Sequence, residues 1–524
     1  MARARRFGGA RRLDPLARAL ALALDRPHRG HRRGPAGSRA VNPALDYEYA
    51  LLLPELILAG TAALVLFADA FRREFGVSRR LLPWLAVAGA VVAGLVSLTY
   101  AGRSENFSEL LTVDDFTTFF RVLFAAILVV LVLGSHEFVE RHVRHVGEFY
   151  ALLLLATVGA IFMSAARELI TAYIAIELLS FSLYVAVSLT LADRRSGEAS
   201  LKYVLLGGVA SAMLLYGLSL LYGVAGSTYY AEIAEAFSSG TAAFEWALVL
   251  GLALVIGGLG FKASAVPFHM WTPDAYEGAP LPITAFLSAT SKAAIVALLL
   301  RVFGGPLLPA IDEWQWMVAA LAVLTMAFGN LIALQQSNIK RLLAYSSIGQ
   351  VGYMLMAVTA VSAETSSALL LHIAGYLVTN LAVFVVVIAV HNRTGDERIV
   401  GFRGLAETQP FLALVLTAGL FSLAGMPLLA GFATKFFLFQ AVASEGFLWL
   451  SVVAVIASTV SLYYYLQVIR QMYLYPPDAD AERWRPSVTG LVTTGGLLAG
   501  MVFIGLYAGP VFELADQAAT ALFA

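Results

Sequence analysis

Apolar runs of about twenty residues recur along almost the whole of this 524-residue chain, and each is long enough to cross roughly 30 Å of hydrocarbon as a helix. In lipid, backbone polar groups find partners only within a helix or a closed barrel. A succession of such runs therefore predicts an all-α polytopic membrane protein. With 59% hydrophobic and 13% charged residues, the chain lies far from the balance of a soluble domain. Hydropathy gives about fourteen transmembrane helices, starting near residues 49, 81, 117, 147, 168, 201, 245, 281, 315, 341, 366, 410, 447 and 487. Residues 1–45 contain no such run. Arg5, Arg6, Arg11, Arg12, Arg32 and Arg33 stand there among Ala, Gly and Pro, which reads as a disordered basic extension or a mis-assigned start.

Arginine alternates between connections as the positive-inside rule requires. Arg72, Arg73, Arg79 and Arg80 follow the first span, Arg141 and Arg144 the third, Arg194 and Arg195 the fifth, and Lys340 and Arg341 the ninth. Arg393, Arg398 and Arg403 follow the eleventh, and Arg483 and Arg485 the thirteenth. The intervening connections are nearly free of cations: Gly226 to Phe244 carries Glu232 and Glu235 but no Arg or Lys. This predicts both termini outside, on the periplasmic side.

Glu245 to Tyr276 and Pro410 to Ser444 are too long for one crossing and too short for two, and Gly and Pro interrupt each. Gly257, Gly258, Gly260 and Pro267 surround Lys262, and Gly425, Pro427 and Gly431 precede Lys435. Paired broken helices in two halves of a chain point to inverted repeats with a transport site at the breaks. The spacing predicts helices 1 to 3 over residues 46–146, a first five-helix repeat over 147–305, a second over 306–475, and a last loop and helix over 476–524.

Lysine is confined to five positions, Lys202, Lys262, Lys292, Lys340 and Lys435, all in or at the edge of apolar spans, while the loops use arginine. Arginine keeps its charge, whereas a buried lysine can fall by several pKa units and change charge near neutrality. An ionised group near the bilayer centre costs from about 2.5 to over 10 kcal/mol, so it lines a hydrated path or has a partner. Lys262, Lys292 and Lys435 are read as proton carriers against the alternative of structural ion pairs. Lys202 has the alternative of snorkelling to the interface. Lys340, beside Arg341 at a helix start, reads as a topological anchor, and Glu55, after Pro54, as interfacial. Glu177, in mid-span, needs a partner from another helix, and Lys202 on the next, antiparallel span is the expected one. His269 and His372 are candidate relays, with hydrogen-bonded core residues as the alternative. Ser211, Thr290, Ser291, Tyr345 and Ser346 are weaker candidates for extending water chains.

Cysteine is absent, which excludes disulfides and cysteine-ligated iron–sulfur clusters on this chain. No Walker loop, dinucleotide glycine turn, haem pair or metal-ligand cluster is found, so the energy source is expected on other polypeptides.

At these residues the sequence resembles the antiporter-like subunits of respiratory complex I, and among them the subunit N family of bacterial NADH-quinone oxidoreductase. The most specific stretches are Phe261-Lys262-Ala263-Ser264-Ala265-Val266-Pro267-Phe268-His269-Met270-Trp271-Thr272-Pro273-Asp274-Ala275-Tyr276-Glu277-Gly278-Ala279-Pro280, and Gly425-Met426-Pro427 through Gly431-Phe432-Ala433-Thr434-Lys435-Phe436. The sister subunits L and M look different there, M having a glutamate at the position of Lys435. Ser337 to Ser347 is shared across the wider family. The resemblance covers roughly residue 45 to the C-terminus and implies fourteen helices, two inverted five-helix repeats, and a proton path through Glu177, Lys202, Lys262, Lys292 and Lys435. It implies no cofactor on this chain, with NADH, flavin, iron–sulfur clusters and quinone on partner subunits. The implied partners are membrane subunits of the M, L, K, A, J and H types and a hydrophilic arm, in a bacterial inner membrane, with no nucleic acid. The competing expectations are an Mrp-like cation/proton antiporter without redox coupling, and a scaffold whose buried charges only hold helices together.

Overall fold

The computed structural model describes residues 49–71, 74, 78–190, 194–239, 245–477 and 483–523. The basic extension lies outside them. The helices are α1 (Leu53–Ala70), α2 (Leu81–Leu98), α3 (Asp115–His142), α4 (Val146–Ala165), α5 (Leu169–Val187) and α6 (Arg194–Ala225), then a short α7 (Tyr230–Ser238). Next come α8 (Glu245–Ala263), α9 (Trp271–Gly278), α10 (Leu281–Phe303), α11 (Ile311–Ala333), α12 (Ile339–Thr359) and α13 (Ala363–Thr394). The chain closes with α14 (Pro410–Ala424), α15 (Ala430–Val442), α16 (Leu448–Leu474), α17 (Val488–Leu506) and α18 (Gly509–Phe523).

Among the described residues, thirteen helical segments are long and apolar enough to cross a membrane, and Pro410–Ala424 is a shorter apolar helix. One of the thirteen, Ala430–Leu474, divides at a π-turn over Ala443–Phe447, where Gly446 takes φ +89°. Its first part completes the broken crossing begun by α14 and its second is a span of its own, which gives the fourteen crossings read from hydropathy. Both breaks fall where glycine and proline place them: α8 and α9 flank residues 264–270, and α14 and α15 flank residues 425–429. In each unit of five crossings, α4 to α10 and α11 to α16, the broken crossing is the fourth. Because five is odd, the second unit enters the membrane from the opposite face, so the two repeats are inverted.

Local signals set the helix ends. Asp114 caps α3 by accepting from the Thr117 amide at 2.7 Å, Ser362 and Thr365 form a capping box on α13, and Gly395 ends that helix at φ +67°. Burial is graded across the bundle. All 23 residues of α10 are buried, while α1, α5, α6, α16 and α17 expose large apolar side chains such as Leu64, Phe181, Val209, Ile456 and Val492. An apolar exterior around a central helix is the arrangement expected of a bundle solvated by lipid.

Two elements were not legible in the hydropathy. A two-stranded antiparallel hairpin, β1 (Glu105–Phe107) and β2 (Leu111–Val113), pairs Glu105 with Val113 ahead of α3. The last fifteen residues described form α18, whose Ala515, Ala518 and Ala519 are buried against α13 and α3.

Candidate proton-transfer site

The first cluster surrounds the break between α8 and α9. Lys262, one residue before the end of α8, points at α5. Its Nζ donates to Ser180 Oγ at 2.7 Å and to Tyr184 OH at 3.3 Å, and lies 3.5 Å from Glu177 Oε1. Glu177 also accepts from Ser211 Oγ of α6 at 2.6 Å. The expected Glu177 to Lys202 pairing is not found. Lys202 lies near the arginine-rich end of α6, and Ser211, the residue opposite Glu177, is nine positions further on, about 13 Å along the axis. Lys202 instead pairs with Glu198 at 2.8 Å and with Asp274 of α9 at 3.0 Å. Asp274 also accepts from Arg341 at 2.9 Å, and Arg341 reaches Glu277 at 2.8 Å. A ladder of charges thus ties α6 of the first repeat, through α9, to α12 of the second.

Lys292 stands in the centre of the fully buried α10. Its Nζ donates to the Ala263 carbonyl at 3.1 Å and to Ser264 Oγ, and sits 5.2 Å from the centroid of the Trp271 ring. The broken helix therefore solvates two lysines: its last turn carries Lys262, and the carbonyl and hydroxyl freed at the break receive Lys292. No carboxylate pairs with Lys292 among the described residues.

Lys435 stands on α15, just after the second break. It donates to the Leu423 carbonyl, left open by the end of α14, at 2.7 Å and to Ser458 of α16 at 2.9 Å. Its ammonium faces the Tyr353 ring at 4.9 Å and borders a cavity of about 310 Å³. A polar seam on α13 runs between Lys292 and Lys435. His372, Tyr376 and Asn380 recur every fourth residue and so share one face. Asn380 donates to Ser288 Oγ, one turn before Lys292, at 2.6 Å, and Tyr376 to the Ser288 carbonyl at 3.0 Å. His372 Nδ1 lies 3.1 Å from Thr434 Oγ1, the residue before Lys435, while its buried Nε2 has no hydrogen-bond partner within the described residues. The other predicted relay, His269, sits half-buried at the first break, its ring 6.5 Å from that of Tyr345. No hydrogen bond joins it to a lysine among the described residues.

Burial and pairing add to two of the readings. Glu55, in the first turn of α1, is 2% exposed and held by Arg121, itself 1% exposed, through Nε at 2.7 Å and Nη2 at 3.0 Å. Its neighbour Pro54 suggested a membrane face, and its carboxylate turns inward to α3. Lys340, read as a topological anchor, is 3% exposed, 2.9 Å from Glu397 and 2.9 Å from the Ala279 carbonyl.

The family description "NADH:quinone oxidoreductase/Mrp antiporter, TM" matches residues 166–461. NADH-quinone oxidoreductase subunit N of Heliobacterium modesticaldum is 41% identical over 449 residues, covering 83% of this chain and 93% of the relative. The chain belongs to the NADH-quinone oxidoreductase subunit N family. A chain of respiratory complex I from Thermus thermophilus superposes with a TM-score of 0.72 at 31% identity, covering 88% of this subunit N chain and 99% of that one. A chain of the Mrp complex from Dietzia reaches 0.77 at 21% identity, over 91% and 98% of the two chains, a likeness of fold alone. Three groups of this subunit N chain were missed in its sequence: the Asp274–Arg341–Glu277 ladder, the Ser288–Tyr376–Asn380 seam and the buried pair of Arg301 with Asp114 at 2.6 Å. Asp274 and Glu277 stand inside the most specific motif, where carboxylates beside an arginine-rich connection were the available signal. The seam carried only common hydroxyls and an amide, which spacing alone cannot separate from helix-packing residues.

Proposed function

We propose that this chain is the antiporter-like subunit through which a bacterial NADH-quinone oxidoreductase moves protons, with NADH oxidation and quinone reduction on partner subunits. The observation that carries the reading is the row of buried titratable and polar groups from Glu177 and Lys262, by way of Lys292 and the α13 seam, to Lys435. It lies across both helix breaks in the middle of an apolar bundle.

The arginine-rich face is cytoplasmic in this reading, which puts both termini outside. Protons enter from that face near Lys262, pass to Lys292, travel the Ser288–Tyr376–Asn380–His372 seam and leave outward from Lys435. Lys292 and Lys435 are held by carbonyl and hydroxyl oxygens, which solvate the ammonium and tolerate the neutral amine, so a proton can leave them without stranding a carboxylate, whereas Lys262 faces two hydroxyls and the Glu177 carboxylate. Glu177 is the group that senses a neighbour. It stands at the rim of an α5 face that exposes Ile174, Phe181 and Val185, and a carboxylate facing hydrocarbon would cost several kcal/mol. A neighbouring membrane subunit on this face removes that cost and brings its own charges to bear on the Glu177–Lys262 pair. Subunits of the M, L, K, A, J and H types are the proposed partners.

The test against the Mrp-like reading is deletion of the gene, followed by assays of the membranes. Loss of NADH-driven proton pumping, restored by the plasmid-borne gene, is expected. Intact NADH-driven pumping with loss of sodium/proton exchange would establish the antiporter instead.

A further inference from the structure

A cavity of about 640 Å³ opens on the arginine-rich face, and its walls come from both repeats and from a helix that belongs to neither. That helix is α3, which lies before the residues matched by the family description, 166–461. It supplies His142, whose ring stacks on Phe138 at 4.6 Å and lies 5.8 Å from the ring of His391 on α13. His145 adds a third imidazole, Glu277 and Glu397 add two carboxylates, and the turn from Ala279 to Leu281 closes the inner side. That turn opens α10. From it Thr284, Ser288 and Lys292 recur every fourth residue on one face of a helix that is buried throughout. The turn to Lys292 is a rise of about 17 Å, with one residue of the stripe about every 6 Å along the axis.

We propose that this vestibule is a proton-collecting antenna in which the His142–His391 pair takes protons from the cytoplasm and passes them along the α10 hydroxyl stripe to Lys292, a second cytoplasmic route that meets at Lys292 the one entering near Lys262. The inference rests on the proton-transfer reading above. Its physical need follows from rates. With a diffusional limit near 10⁹–10¹⁰ M⁻¹s⁻¹, a single acceptor at about pH 7 is protonated only about 10²–10³ times a second, and at about pH 8 ten times less often. Enzyme turnover reaches the same range, so uptake becomes limiting on the alkaline side unless several groups gather protons. Imidazoles are suited to that task because they exchange protons near neutrality through either ring nitrogen. The groups facing the pair are Lys340 and Glu397, which are paired with each other at 2.9 Å, Asp396, Glu277, His145, and Arg141, Arg144 and Arg195 around the mouth. Carboxylates and cations are nearly balanced among them.

The test is the double variant His142→Gln/His391→Gln in assembled complex, with NADH-driven pumping measured against wild type from about pH 6 to about pH 8.5. The expected ratio to wild type is near one at the acid end and falls about three- to tenfold at the alkaline end. A ratio that does not change with pH overturns the antenna, whether the rate is unchanged or uniformly reduced. If the double variant does not assemble, Thr190→Trp, which places an indole in the cavity from the turn after α5, is measured in the same way with the same two outcomes. Lys292→Ala run alongside separates the levels. Wild-type pumping by that variant would overturn the proton path itself, while its loss together with a flat ratio for the histidine variant would overturn the vestibule alone.

Discussion

Side chains that carry charge in this bundle fall into two kinds according to what faces them. Arg121 and Arg301 are each matched to a carboxylate, Glu55 and Asp114, at 2.7 and 2.6 Å, and they behave as fixed charges because a guanidinium does not release its proton. Lys292 and Lys435 are met by carbonyls, hydroxyls and aromatic faces instead. The first kind holds helices and the second can change charge. The confinement of lysine to apolar spans was visible in the sequence, and so was the need of Glu177 for a partner. Which partner it takes was not, because helical phase and the lateral offset of α6 against α5 decide whether Lys202 or Lys262 arrives, and neither is written in spacing along one helix. At this scale the fixed pair makes a prediction. Arg121→Leu leaves Glu55 buried and unpaired and is expected to lower stability by about 3–5 kcal/mol, whereas Arg121→Leu with Glu55→Leu recovers most of it. Thermal inactivation of the solubilised complex reads both, and equal losses in the two variants would contradict the assignment.

Among the elements, the breaks do the positioning. Gly425 ends α14 at φ +87°, which frees the Leu423 carbonyl for Lys435, and α15 then returns so close that a Cβ on Gly431 would lie 1.7 Å from the Ser422 carbonyl oxygen. Only glycine permits that approach. Gly431→Ala is expected to remove the subunit from the assembled complex, seen as loss of its band on native gels, while Gly60→Ala, where nothing lies within 4 Å of the added carbon, leaves assembly intact. Normal assembly of Gly431→Ala would show that the break does not need this contact. Gly and Pro in overlong apolar runs made both breaks legible: Pro267 and Gly425 stand at the breaks themselves, although Gly257, Gly258 and Gly260 lie within α8. The hairpin before α3 and the helix α18 were illegible because each is short and depends on packing. Strands of three residues carry no readable alternation, and the small buried face of α18, three alanines, gives little contrast.

The whole molecule joins two inverted five-helix units around α10, with one break and one buried lysine cluster in each. The arginine-rich connections, 141–144, 194–195, 340–341 and 393–398, supply His142, Arg195, Lys340 and Glu397 around one vestibule, so the alternation read from the sequence describes one face of the fold. Family membership follows from 41% identity to the Heliobacterium subunit N, and the proposed proton path gives that membership a mechanism. The central claim is that the lysines at the breaks carry protons during turnover. The direct measurement is NADH-driven proton pumping, taken together with NADH:quinone turnover and native-gel assembly, in membranes carrying Lys262→Ala. An assembled complex that has lost pumping is the predicted result. Pumping and turnover at wild-type levels would make Lys262 a structural charge held by Ser180, Tyr184 and Glu177, and would contradict the account.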